Sequence, residues 1–306
     1  MQMKFQHVLC PGLSAFLAIF LTSVHGVHAA PPVIDDQKIT ETLVKSTAEA
    51  VGKEGVPSAD DLAKKAMKSN QLKLEIQEPS PPKPTAADYE TLSQSVFLID
   101  TIYKCGKCEH WHQGSSATAW CLSEDGLMVT NAHVFRGAKG AAMGVINREG
   151  KAYPVTELLG YDVATDIAIF RVKGEGMRPL KMGEAADVGK PVSIISNPNG
   201  NLFVRTEGSV SRYALAAAAP QLPKVPWMTV TADYAKGSSG GPVFNSDGEV
   251  VGMVNSTRSI YTSVNLKKAP NATGKGAPNA PEKGDLQMVI RNCVPVESIR
   301  ALFKKE

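Results

Sequence analysis

An all-β fold of antiparallel strands is what this sequence predicts, and three observations predict it. From about Ser93 onward, short apolar stretches alternate with turns rich in Gly, Asn and Asp. Successive stretches recur at about ten-residue intervals, the rhythm of antiparallel barrels and sandwiches. Helical periodicity is confined to the region before residue 90 and to the last residues of the chain.

The expected strands are 95–103, 117–122, 127–130, 166–172, 191–196, 227–232, 249–255 and 286–290. Residues 258–285 break the pattern with Lys, Pro, Asn, Ala and Gly, and read as a long mobile loop. The chain closes on an amphipathic helix over 296–304, with Ile299, Leu302 and Phe303 on its apolar side.

Ahead of the strands lie two segments of different character. Residues 1–29 carry Lys4, an apolar run over 13–24 and the small-residue closure Val27-His28-Ala29, the layout of a secretory signal peptide cut after Ala29. The run is too short for a comfortable span and no basic cluster follows it, so no stable membrane anchor is expected. Residues 30–90 read as a helical arm and linker. Asp35 and Asp36 can cap a first helix bearing Ile39, Leu43, Val44, Ala48 and Val51. Ser58-Ala59-Asp60-Asp61 resembles a capping box for a second, and the proline run at 79–84 stops any helix. This arm reads as a spacer or prosegment. The remainder, 91–306, is expected to form the β domain.

With 33 basic against 30 acidic residues the net charge is +3, which offers no electrostatic footprint for nucleic acid. Apolar residues at 43% are enough for a core.

The chemistry concentrates in three motifs. Gly237-Ser238-Ser239-Gly240-Gly241-Pro242 places a serine between glycines. A serine hydroxyl becomes a nucleophile when a base takes its proton and donors receive the charge that develops on the substrate oxygen. Glycines let consecutive backbone N–H groups face one point, so the Gly237 and Ser239 N–H groups are the candidate oxyanion hole beside the Ser239 hydroxyl. TNAHV at 130–134 sets His133 at the end of a strand, and ATDIAIF at 164–170 sets Asp166 at the start of another. An aspartate that orients an imidazole, and an imidazole that deprotonates a serine, complete the division of labour. Taken singly, each motif also fits a bland role: a glycine-rich turn, a histidine near a strand end, a turn cap.

Chain order separates the candidate hydrolases. The Gly-x-Ser-x-Gly pattern of 237–241 also fits a nucleophile elbow, but that design needs a histidine after the serine, and none follows His133. The order His, Asp, Ser is the chymotrypsin-like one.

At this point the sequence resembles a trypsin-fold serine protease of the HtrA type over residues 93–305. The resemblance rests on TNAHV, ATDIAIF, ISNPNG at 195–200 followed by GSVS at 208–211, and GSSGGPVF at 237–244. It implies two antiparallel six-stranded β-barrels with the active site between them, and His133, Asp166 and Ser239 at the catalytic positions. The expected activity is peptide-bond hydrolysis through an acyl-enzyme, with protein or peptide substrates and no cofactor, in the periplasm or outside the cell. The rival reading is a non-enzymatic binding protein on a protease scaffold. A homo-oligomer is left open.

Three departures from the family pattern matter. PDZ domains usually follow the protease in HtrA proteins, whereas this sequence closes on one helix, so a form lacking PDZ is expected. Ser238 stands where zymogen-type relatives keep an aspartate. Asp233 lies six residues before Ser239, where a trypsin-like enzyme selects Lys or Arg. The preferred reading gives it loop hydrogen bonds instead and predicts cleavage after small aliphatic residues. Asn255, Ser256 and Thr257 are expected to line the substrate channel and pair with the substrate backbone as an added strand.

A second cluster, Cys105-Gly106-Lys107-Cys108-Glu109-His110-Trp111-His112, admits a local Cys105–Cys108 disulfide, a zinc site using the histidines, or a redox pair. The disulfide is the first expectation for an exported protein. Cys121 and Cys293 sit in apolar runs and read as small buried hydrophobes.

Overall fold

The computed structural model describes residues 33–79, 87–262 and 285–304. The expected signal peptide, most of the proline run and residues 263–284 of the expected mobile loop lie outside the described residues.

The arm begins with α1 (Asp36–Ala50), where the Asp35 carboxylate accepts from the Lys38 N–H at 2.9 Å and satisfies an orphan donor of the first turn. Helix α2 (Ala59–Met67) follows; there the Ser58 hydroxyl accepts from Asp61 N–H and donates to the Asp61 carboxylate at 2.7 Å. Strand β1 (Gln71–Leu72) and α3 (Tyr89–Ser93) complete it. Contrary to a spacer role, the arm is built into the core. Leu43, Ala59, Leu62, Ala66 and Leu74 are buried, β1 pairs with a barrel strand, and the Arg136 guanidinium donates to Ala66 O at 3.0 Å. A free arm would expose this apolar stripe to water.

The first barrel contains β2 (Val96–Lys104), β3 (Trp111–Gln113), β4 (Ala117–Cys121), β5 (Leu127–Thr130), α4 (Ala132–Arg136), β6 (Ala142–Asn147), β7 (Ala152–Asp162) and β8 (Ile167–Val172). Its strands run β7-β6-β2-β4-β5-β8, and pairing of β7 with β8 closes the ring; β1 and β3 flank it. The second barrel is β9 (Pro191–Ser196), β10 (Val204–Ala216), β11 (Val225–Val230), β12 (Pro242–Phe244), β13 (Val250–Tyr261) and β14 (Leu286–Pro295), closed in the order β10-β11-β14-β13-β12-β9. Helix α5 (Val296–Arg300) ends the described fold, with Ile299, Leu302 and Phe303 buried as their spacing predicts.

Two antiparallel barrels are therefore the architecture, and closure leaves neither with free central edges. Strands β1, β3, β6, β7, β10 and β12 escaped the sequence reading. Residues 258–261, read as part of the loop, instead extend β13, which pairs with β14 as far as Tyr261 opposite Leu286. Among the described residues, no helix is long and apolar enough to cross a membrane.

Candidate active site

Strand β5 delivers Asn131 and His133 to the mouth of the first barrel, and the 162–166 turn delivers Asp166 opposite them. The Asp162 carboxylate opens that turn by accepting from the Ala164 N–H at 2.7 Å. Asp166 adopts φ +56°, a left-handed conformation that aspartate tolerates better than most side chains. Its neighbours hold it there. The Asp166 carbonyl accepts from Asn131 Nδ2 at 2.9 Å and Ala132 N at 3.2 Å. Its carboxylate accepts from the His133 backbone N–H at 2.8 Å, from His133 Nδ1 at 2.6 Å and from Asn255 Nδ2 at 2.6 Å.

This arrangement fixes the imidazole. With Nδ1–H engaged by the carboxylate, Nε2 is left as the free acceptor of the neutral ring. The His133 side chain is 52% exposed while Asp166 is only 15% exposed, so the ring's outer edge faces the cleft over a shielded carboxylate. Partial burial works against the imidazolium, but the Asp166 hydrogen bond and charge together outweigh it and raise the His133 pKa above its ordinary value of 6.5.

The Ser239 loop is set by its carbonyls. Lys236 O accepts from Asn199 N at 2.7 Å, Gly237 O from Thr118 Oγ1 at 2.9 Å, Ser238 O from Gly241 N at 2.9 Å and Ser239 O from Thr118 N at 2.8 Å. A trans peptide points its N–H opposite to its C=O. Anchoring Lys236 O and Ser238 O therefore turns the Gly237 and Ser239 N–H groups outward, and neither has a hydrogen-bond acceptor among the described residues. Gly237 has φ +98°, and a Cβ there would collide with the carbonyl of Asn197. Both facts require glycine. The Ser239 hydroxyl donates to Asn255 O at 3.3 Å rather than to His133.

Two residues that support this loop escaped the sequence reading of roles. Asn197 is fully buried: its Nδ2 donates to Phe97 O and Thr118 Oγ1, both at 3.1 Å, and its Oδ1 accepts from Phe203 N at 2.9 Å. Thr118 relays that support to Gly237. No pattern around either residue marks the role, because both act across the interior from strands distant in sequence. Ser238 is buried and its hydroxyl accepts from Ser196 Oγ at 3.0 Å, a neutral pair where zymogens use an ion pair.

The expected substrate residues have separate fates. Asn255, Ser256 and Thr257 border a groove of about 760 Å³ that also includes Arg212, Trp227 and Asn292. The Asn255 side chain is nevertheless turned onto Asp166. The Asp233 carboxylate is 77% exposed and ion-paired with Arg291 of β14 rather than enclosed in a pocket. Tyr234, beside it, extends inward; its hydroxyl lies 2.9 Å from Ser256 O and 2.7 Å from Asn292 O, bridging β13 and β14. Burial pushes this phenol far above its ordinary range, so it stays neutral.

The disulfide expected between Cys105 and Cys108 is not formed. Both are free, exposed thiols with Sγ atoms 3.4 Å apart. Cys121 and Cys293 are buried, and desolvation pushes both thiols up to about 12, as befits inert core residues.

Comparison with known proteins locates this geometry. A family model described as a trypsin-like peptidase domain matches residues 117–253. The chain is 37% identical over 142 residues to a probable periplasmic serine endoprotease DegP-like from Halomonas elongata, covering 45% of this chain and 29% of that protein. Proteins of the same description from Hahella chejuensis and a Marinomonas species are 33% and 35% identical, over 48% and 49% of this chain and 30% and 31% of theirs. The chain thus aligns with about three tenths of the length of these relatives.

Proposed function

Taking as premise that this chain carries a trypsin-like peptidase domain homologous to DegP-like serine endoproteases, we propose that it is a serine endopeptidase acting through Ser239, His133 and Asp166. What supports the reading is that the Asp166 carboxylate holds His133 by ring and backbone while Asn255 joins that carboxylate to the Ser239 hydroxyl.

The reaction follows from those atoms. Rotation about the Ser239 Cα–Cβ bond exchanges the Asn255 carbonyl for His133 Nε2, a tightening common once substrate arrives. His133 takes the hydroxyl proton as Oγ attacks the scissile carbonyl carbon, and the resulting oxyanion is received by the Gly237 and Ser239 N–H groups. Asp166 stabilises the imidazolium without taking its proton. The imidazolium then protonates the leaving amine, the C–N bond breaks, and an ester remains on Ser239. Water, deprotonated by the same ring, attacks that ester, and the carboxylic acid product leaves with Ser239 restored. No step calls on a cofactor.

Substrate placement follows from β13. A peptide in extended form can pair with residues 255–257 as an added strand, with its side chains reaching the groove bordered by Asn255, Ser256, Thr257, Trp227 and Asn292. Tyr234 fastens its hydroxyl to the carbonyls of Ser256 and Asn292, two residues that border this groove, and Asp233 is neutralised by Arg291. Both features favour small aliphatic side chains and disfavour Lys and Arg.

Export is part of the reading. It is supported by the layout of residues 1–29 and by the relatives' description as periplasmic; the mature protein should begin at Ala30, which N-terminal sequencing reads directly.

A fluorophosphonate probe tests the chemistry. The folded protein should label at Ser239, and Ser239→Ala should lose labelling together with proteolysis of an unfolded substrate. Folded protein that resists the probe at pH 8 would leave the scaffold as a binding module.

A further inference from the structure

The tip of the β2–β3 hairpin lies apart from the nucleophile loop and plays no part in the chemistry above. Pairing of Ile102 with Gln113, Tyr103 with His112 and Lys104 with Trp111 sets the hairpin register, with Tyr103 directly opposite His112 and Cys105 two residues beyond it. Gly106 at φ +72° lets the chain turn back so that Cys108 rejoins them. Cys108 Sγ then stands 3.0 Å from His112 Nε2 and 3.4 Å from Cys105 Sγ. All three atoms lie within 4.8 Å of one another. The Tyr103 ring packs on the imidazole at 5.5 Å between centroids and holds Nε2 toward the sulfurs. The Lys107 N–H points at Cys105 Sγ from 3.4 Å.

We propose that Cys105, Cys108 and His112 form a zinc site at this hairpin tip, with a fourth position open to water. The donor set is the argument. Two sulfurs and one imidazole nitrogen are the ligands that borderline-soft Zn²⁺ takes, and hard cations such as Mg²⁺ or Ca²⁺ find no oxygen cage here. Tetrahedral zinc with its usual bond lengths separates two sulfurs by about 3.8 Å and sulfur from nitrogen by about 3.6 Å. The observed separations differ from these by about half an ångström, which an exposed hairpin tip accommodates. A disulfide would join the two sulfurs but would give the convergent His112 nitrogen nothing to do. His110 lies outside the group. The backbone N–H on Cys105 and the ring packed on His112 are the outer partners that commonly orient such ligands. The bound ion would cross-link residues 105–112 and stiffen the hairpin.

The test is zinc uptake by the whole protein, purified under reducing conditions, incubated with Zn²⁺ and freed of excess by gel filtration. One zinc per chain is expected, falling to background in Cys105→Ser/Cys108→Ser and losing at least tenfold in affinity in His112→Ala. Ser239→Ala should bind zinc as the unaltered protein does, which separates this site from the proteolytic reading. Co²⁺ in place of Zn²⁺ gives a second readout that needs no variant: an intense thiolate-to-metal band in the near ultraviolet and tetrahedral bands in the visible. Substoichiometric zinc in the reduced protein, zinc retained without the two cysteines, or a cobalt spectrum lacking the thiolate band would each overturn the assignment.

Discussion

Asn255 Nδ2 donates to Asp166 Oδ2 at 2.6 Å, to the same oxygen that engages His133 Nδ1. The backbone carbonyl of Asn255 accepts the Ser239 hydroxyl. One residue of β13 thus touches both ends of the proposed catalytic relay. Removing its side chain strips a charge-assisted hydrogen bond from Asp166, an interaction worth about 1.5–3 kcal/mol, part of which the transition state feels. Asn255→Ala should therefore lower kcat by about tenfold with a smaller change in KM. A raised KM with kcat unchanged would return Asn255 to a purely substrate-binding role.

The raised pKa of His133 has a definite sign. The imidazolium cannot accept the Ser239 proton, so activity appears only as pH climbs through the folded-state value, and the acid limb of kcat/KM should lie above 6.5. Asp166→Asn removes the charge that raises this value, leaving burial unopposed. The limb should move to lower pH while kcat falls by about 10⁴-fold. An unmoved limb would mean that another group governs it. The same linkage predicts that the His133–Asp166 pair stabilises the fold below the unfolded histidine pKa and loses that contribution as pH rises through the folded value.

Tyr234 fastens its hydroxyl to Ser256 O of β13 and Asn292 O of β14, two residues that border the groove. Replacing it with alanine opens a volume the size of a phenol ring. In a panel of peptides differing only before the scissile bond, Tyr234→Ala should shift kcat/KM at least tenfold toward Leu, Met or Phe relative to Ala. An unchanged ratio would place the specificity pocket elsewhere.

Asn197 tests whether the loop depends on its buried support. Alanine there strands the Phe203 N–H away from water, at about 1–3 kcal/mol, and removes one hydrogen bond from the Phe97 carbonyl. Denaturant unfolding of Asn197→Ala should show a loss of about 3 kcal/mol. Probe labelling of the fraction that remains folded should also slow, because Thr118, which holds Gly237 O, keeps the Asn197 backbone N–H but loses one of the two hydrogen bonds that steady it. A stability loss with labelling unaltered would confine Asn197 to packing.

Legibility differs sharply between parts of this molecule. Strands 127–130 and 191–196 were readable to the residue, since their apolar runs are bounded by turn residues on both sides. β7 and β10 were not, because each carries polar residues and a register shift that blur alternation over more than ten positions. The arm's helices were visible from their caps, but their burial against the barrel was not, since an amphipathic stripe does not say what covers it.

The candidate site divides in the same way. The sequence by itself determined the candidate reactive groups and their order, because a strand-end histidine, a turn aspartate and a glycine-flanked serine each leave a local mark: glycine at Gly237 is demanded by a backbone angle and a close approach. Only the tertiary structure decided that Asn255 would grip Asp166, that Arg291 would neutralise Asp233, that Tyr234 would bridge two strands, and that Asn197 would brace the loop from beneath. Those four choices are made by side chains meeting across barrels after the chain has closed, and contact between residues dozens of positions apart leaves no periodicity or spacing in the chain that makes it.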